Sequence, residues 1–136
     1  MKTLDVYKCT RKQELENNDL SEGTAIKRIF KDQIPPFSST KSFTGHTLAA
    51  AAAVEAVFSI MAIKEGIVYK NLNFKNVIPE LDIYPEIEVK KEREINNVLS
   101  NSFGFGGNNS TQSYFQNKTH EQLYRCHRKY IPAKHI

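Results

Sequence analysis

The chain has 136 residues, the length of a single domain, since one core usually serves roughly 100–200 residues. With 40% hydrophobic and 25% charged residues, its composition excludes both a disordered chain and a membrane protein. The formal net charge is +4, and the basic residues Lys118, Arg125, Arg128, Lys129 and Lys134 crowd its last part.

Residues 1–17 carry neither helical nor strand period and receive no assignment. The opening MKTLDVYKCTRKQE is too polar for a signal peptide. Asp19 or Ser21 can cap a helix, with Glu22 in its first turn and Leu20, Ile26, Ile29 and Phe30 as an apolar stripe. Ile34-Pro35-Pro36 stops that helix, and Phe37 to Thr40 reads as a brief buried strand. From Thr47 to Ile63 the residues are apolar on nearly every side, which predicts a helix buried all round. Its run of alanines lets neighbouring backbones approach closely. Glu55 is the ionisable side chain inside this run and needs a partner, for which Lys41 is the candidate.

Past Gly66 the pattern turns to short extended pieces, Ile67 to Tyr69, Ile87 to Val89 and Asn96 to Ser102, with Pro79 and Pro85 marking turns. Phe103-Gly104-Phe105-Gly106-Gly107 reads as a tight turn into a strand from Ser110 to Gln116. The basic end beyond it carries Tyr124, Tyr130, His120, His127 and His135. Such a tail can bind nucleic acid or an acidic protein, but reads first as a solvated end, and its histidines lack zinc-site spacing. Nucleic acid is not an expected partner. Cys9 and Cys126 show no CxxC spacing, and no apolar stretch is long enough for a bilayer, so a reduced, cytoplasmic setting without a membrane is expected.

Gly45-His46 falls at the first turn of the buried helix, where free N–H groups disfavour imidazolium and leave a neutral ring able to donate to a developing oxyanion. A histidine that only caps the helix fits the same residues. The glycine turn is open in the same way. It is either a plain hairpin or a set of bare amides forming half of an oxyanion hole.

Two stretches together carry a family likeness: Ser38-Ser39-Thr40-Lys41-Ser42-Phe43-Thr44-Gly45-His46 followed by Ala53-Val54-Glu55-Ala56, and Ser100-Asn101-Ser102-Phe103-Gly104-Phe105-Gly106-Gly107. Over residues 17–116 the chain resembles the C-terminal half of the β-ketoacyl-acyl-carrier-protein synthases, the condensing enzymes of fatty-acid and polyketide assembly. Asn18 to Gly23 resembles the helix entrance after that family's first histidine. The resemblance implies an α/β fold, the C-terminal half of a thiolase-like fold, βαβαβ with a mixed sheet and the alanine-rich helix in a middle layer. It also implies a decarboxylative Claisen condensation of an acyl thioester with a malonyl group on acyl-carrier protein.

By position in the resemblance, His46 is the histidine that donates to the thioester oxygen. Lys41 orders the site, paired with Glu55. Phe105 is the gating phenylalanine whose N–H lends an oxyanion donor, with Phe103 and Gly104 beside it. In some relatives Glu55, Ser100 and Asn101 surround a structural cation. No cofactor and no catalytic metal is implied. The implied partners are an acyl-carrier protein bearing phosphopantetheine and an N-terminal half or full-length synthase, with a homodimer in the complete family member.

The sequence also departs from the family. Neither Cys9 nor Cys126 has the flanks of the nucleophilic cysteine, and the first histidine, expected in a Val-His-Gly-Thr-Gly-Thr stretch, is replaced by Cys9 to Leu15. Were Cys9-Thr10-Arg11 encoded TGT ACA CGG, the adjacent frame would read Val-His-Gly, so residues 1–16 are read as an out-of-frame leader. Residues 117–136 form the basic tail. Ala49 and Ala52 stand where the family has glycines. The expectation is a domain inactive alone. The competing expectation is a non-catalytic subunit that binds a complete synthase.

Overall fold

The computed structural model describes residues 6–8, 18–91, 94–103, 108–116 and 124–132. In chain order they form β1 (Val6–Lys8), α1 (Asn18–Phe30), β2 (Phe37–Ser38), α2 (Lys41–Thr44), a 3-10 turn (Leu48–Ala50), α3 (Ala51–Glu65), β3 (Asn97–Phe103), β4 (Asn108–Gln116) and β5 (Tyr124–Pro132). The strands make one mixed sheet in the order β2-β1-β3-β4-β5. Strands β2, β1 and β3 run parallel, whereas β3, β4 and β5 are antiparallel neighbours. The βαβαβ unit expected from the sequence is therefore present, extended by two antiparallel strands.

Successive strand residues face opposite sides of a sheet, so Val98 and Leu99 identify which helix covers which face. Val98 joins a core with Ala62 and Ile63 of α3, together with Val68, Ile95 and Tyr114. Leu99 packs instead against Ile26 of α1 and Phe37 of β2. The sheet is thus sandwiched, with α1 on one side and α3 on the other. Val68 and Val98 are each only 1% exposed, which marks the α3 side as the better sealed core.

Several elements differ from the sequence reading. Helix α1 starts at Asn18, so Asp19 lies in its first turn and Ser21 within it rather than capping it. It ends at Phe30, where Lys31 takes a left-handed φ of 52°, ahead of the prolines. Ile29 is 71% exposed and drops out of the expected stripe, because only the Ile26 side meets the sheet. The expected strands Ile67–Tyr69 and Ile87–Val89 are not strands. One antiparallel bridge, Val68 to Lys90, joins these segments, and Asn71 N–H donates to Glu86 O. Turns at Asn73 and Asp82, both with positive φ, together with Pro79 and Pro85, prevent a continuous ladder. The Glu86 N–H nevertheless donates to the Phe37 carbonyl at 2.9 Å, which satisfies an acceptor of β2.

Both chain ends also contribute strands that periodicity did not reveal. Val6–Lys8 sits between β2 and β3, and Tyr124–Pro132 of the basic end pairs along the whole of β4. Three residues are too few to show a period of two, so β1 was invisible until its neighbours framed it. In β5 the sequence Tyr-Arg-Cys-His-Arg-Lys-Tyr-Ile-Pro carries no apolar period of two, and the strand is defined by its pairing with β4.

Helix α3 is not buried all round. Its Glu55, Ser59, Ala62 and Ile63 are buried, but Ala53, Val57 and Met61, spaced at four, form an apolar stripe exposed on the opposite side. The sheet covers one side of the helix, and no described element covers the other. The helix closes on Gly66 in the left-handed region (φ 61°), which suits a residue without a Cβ. Deleting a sealed methyl cluster should therefore cost far more than deleting one from the stripe. Ile63→Ala is expected to lower unfolding free energy by about 2–5 kcal/mol, and Val57→Ala to change it by about 0.5 kcal/mol or less, as read by urea denaturation.

Candidate active site

The three parallel strands end on one edge of the sheet. Register aligns Ser38 of β2, Lys8 of β1 and Ser100 of β3 in one row, from which β3 continues to Phe103. Carboxyl ends of parallel strands are the usual place for a site in such a fold, because chains diverge there into helices on opposite faces and leave a crevice. From β2 the chain runs through Ser39 and Thr40 into α2, then Gly45 and His46. From β3 it runs through Phe103 towards Gly104 and Phe105, which lie outside the described residues, as do Cys9 and the rest of the stretch that replaces the first histidine motif.

Lys41 opens α2, and its ammonium forms an ion pair with Glu55 of α3. The lysine and glutamate side chains are only 10% and 6% exposed. A carboxylate so far from water demands such a partner. The pair expected from the sequence is thus formed, and it fastens the turn after β2 to the middle of α3. Opposite Lys41 the same turn is held by the loop at 71–72. Asn71 Oδ1 accepts from the Ser39 N–H at 3.3 Å, and Ser42 Oγ accepts from the Leu72 N–H at 3.1 Å while donating to Ser39 O at 3.0 Å. Nothing in the sequence pattern singled out Asn71 or Ser42. A polar residue in a loop becomes informative only when the fold buries it.

His46 does not lie in the first turn of α3 as expected; it precedes both the 3-10 turn and the helix. Gly45 before it has a φ of 68°, in the region that favours glycine, and bends the chain away from α2. The imidazole is fixed locally instead. Its Nδ1 accepts the Leu48 N–H at 3.0 Å, and Leu48 itself adopts a left-handed φ of 48°. A nitrogen that accepts carries no proton, so in this tautomer the ring proton sits on Nε2, free to donate from an exposed ring.

Ser100 and Asn101 follow the alternation of β3. Ser100 is buried on the α3 side of the sheet. Asn101 turns to the α1 side, where its Nδ2 donates to Glu22 Oε1 at 3.4 Å and its Oδ1 accepts from Thr111 Oγ1 at 2.8 Å. Side chains of the trio Glu55, Ser100 and Asn101 therefore do not gather on one face. Among the described residues, no group of three or more His, Cys, Asp or Glu is arranged to hold a metal ion. Glu22, only 6% exposed, is a polar link that the sequence reading treated only as a helix-dipole residue. Away from this edge, burial first and the Glu65 charge second raise the Tyr69 phenol above its ordinary range, where its ring meets Phe58 edge-on at 5.4 Å. Among the described residues no helix is long and apolar enough to cross a membrane.

If the ion pair anchors the turn, its two halves should be strongly interdependent. Lys41→Met alone, which strands a buried carboxylate, is expected to cost about 3–5 kcal/mol, whereas Lys41→Met with Glu55→Leu should recover most of that loss. A double-mutant cycle in urea reads the difference.

Comparison with known proteins agrees with this arrangement. Residues 15–75 match the family described as "Beta-ketoacyl synthase, C-terminal domain". The chain is 37% identical over 93 residues to 3-oxoacyl-(acyl-carrier-protein) synthase 1 of Escherichia coli (strain K12), an alignment covering 68% of this chain and 23% of that protein. Among solved structures, the ishigamide ketosynthase/chain length factor superposes with a TM-score of 0.73 at 26% identity, covering 84% of this chain and 28% of that one. The AntDE ketosynthase, in complex with the type II polyketide synthase acyl-carrier protein AntF and bound to the hexaketide, gives 0.67 at 31% identity, covering 82% of this chain and 27% of that one. Across curated relatives the chain spans 20% to 25% of their length. By sequence, by the order of its strands and helices, and by its fold, this chain belongs to the β-ketoacyl synthases and corresponds to a portion of their C-terminal domain.

Proposed function

We propose that this chain supplies the enolate-stabilising part of a decarboxylative condensation site and is inactive on its own. The observation that carries this reading is the His46 tautomer. With Nδ1 committed to the Leu48 N–H, the Nε2–H is left to donate, a few residues along the chain from the turn that Lys41 and Glu55 hold in place.

In the reaction, the bond between the malonyl carboxylate and its α-carbon breaks and carbon dioxide departs. The released electron pair delocalises onto the thioester oxygen as an enolate, and the His46 Nε2–H donates to that oxygen. A donor aimed at charge that develops only in the transition state lowers the barrier without tightening substrate binding. The enolate carbon then attacks the acyl thioester carbonyl, and the sulfur that carried the acyl group leaves as thiolate. Lys41 and Glu55 act by positioning, and the backbone N–H of Phe105 is the second oxyanion donor in this reading. The malonyl donor is carried by an acyl-carrier protein, the type of partner seen with the AntDE ketosynthase. The nucleophilic cysteine comes from a synthase N-terminal half.

A second reading, a non-catalytic subunit bound to a complete synthase, is favoured by the exposed Ala53, Val57 and Met61 stripe, which needs a covering partner. The two readings differ in whether His46 matters. Purified chain should convert malonyl and acyl carriers no faster than its His46→Ala variant. Combined with a synthase N-terminal half, it should decarboxylate the malonyl carrier, and His46→Ala should lower that rate by roughly 100- to 1,000-fold. Turnover by the lone chain above the variant would refute the inactivity. A combined activity indifferent to His46→Ala would refute the catalytic role and leave the subunit reading.

A further inference from the structure

A cavity of about 370 Å³ lies between α1, the end of β2 and the loop that spans 71–85. None of Lys41, His46 and Glu55 lines it, although Ser38 and Ser39 at the end of β2 do. Its apolar surface comes from Ile26 and Phe37 at one side and Phe74, Ile78, Leu81 and Ile83 at the other, and Ser38, Ser39, Asn73 and Asn76 add polar groups to the lining. The volume falls at the small end of the roughly 300–1,000 Å³ typical of ligand pockets. At the roughly 30 Å³ that a water occupies in the liquid, it offers space for about a dozen heavy atoms.

Asn71 also lines the cavity and is 8% exposed. Its Oδ1 is engaged by the Ser39 N–H, which orients the amide and leaves Nδ2 as a donor with no protein partner among the described residues. That amide donor, on a residue largely removed from solvent, is available to an acceptor on a ligand or to water. The charged lining residues, Asp19 and Lys75, are of opposite sign and leave the cavity without net charge. A carboxylate ligand would therefore lose its hydration without gaining a dedicated cation. Gly23 lies in the wall as well, and a Cβ there would come within 2.3 Å of Leu81 Cδ1 and 3.4 Å of Ile83 Cδ1, so the end of the Leu81 side chain would have to move aside.

We propose that this cavity is a binding site for a neutral, medium-length aliphatic compound whose carbonyl oxygen accepts from Asn71 Nδ2 and whose chain lies between α1 and the 78–83 turn. The proposal does not rest on the condensing role, because none of Lys41, His46 and Glu55 lines the cavity, although Asn71 and Ser39 also hold the turn that leads to His46.

The test is an NMR titration of the isotope-labelled full chain with octanamide, octanoate and octylamine. Octanamide should produce saturable shifts at Gly23, Asn71 and Leu81, with an affinity about tenfold above that of either charged analogue. Asn71→Asp keeps an oxygen for the Ser39 N–H but replaces the donor with an acceptor, and should weaken octanamide by about tenfold. Gly23→Ala, which displaces Leu81 in the cavity wall, should also weaken it. Should Asn71→Asp fail to fold, the Gly23→Ala result and the ranking of the three probes on the unmodified chain decide the matter. Absence of saturable shifts, shifts centred elsewhere, equal affinity for the three probes, or an Asn71→Asp variant that binds octanamide unchanged would each overturn the proposal.

Discussion

The buried pair between Lys41 and Glu55 is the contact on which the rest of the arrangement depends. It joins an element on the edge of the sheet to the middle of the helix that seals one face. Neither charge can be solvated where it stands, so each restricts the other to a narrow range of positions. Because Lys41 opens α2, that restriction passes directly to Gly45 and His46 a few residues later. The ion pair therefore acts less as a source of net stability than as a device for fixing register between a short turn and a long helix. The 71–72 loop holds the same turn from its other side through Asn71 and Ser42, so that the turn is clamped between two independent attachments.

Sheet order gives that clamp its functional setting. With β1 between β2 and β3 and all three parallel, their carboxyl ends point the same way. His46 follows one strand, and the Phe103 segment follows another. The same alternation that buries Val98 against α3 sends Leu99 and Asn101 to the α1 face, where Asn101 links Glu22 to Thr111. A single strand thus serves two polar systems on opposite sides of the sheet.

Helix α3 shows how a sequence can be apolar all round while the fold leaves part of it uncovered. Burying Ile63 and Ala62 in the sheet requires Val57 and Met61 to point away from it, and the described residues include no layer beyond. Composition reports that both sides of the helix are suited to burial. It does not report which surface supplies the second side. That the chain aligns with only 20% to 25% of the length of its curated relatives is consistent with that asymmetry.

Much was legible in the residues themselves. The apolar run around Glu55 required a charged partner, and Lys41 was the one nearest in the pattern. The hairpin around the glycine turn followed from glycines between two extended stretches, and the βαβαβ order followed from the family likeness. What the sequence by itself determined was the set of local preferences: where helices form, where glycine permits a turn, and which charge cannot stand alone. Tertiary structure alone decided that Val6–Lys8 and Tyr124–Pro132 are strands, since their pairing energy comes from neighbours distant in the chain. It also decided that the segment from Ile67 to Lys90 makes isolated contacts, the Val68–Lys90 bridge and the Asn71–Glu86 hydrogen bond, rather than a ladder. These features depend on hydrogen bonds between groups brought together by the fold, and so they carry no signature of their own in the order of the residues.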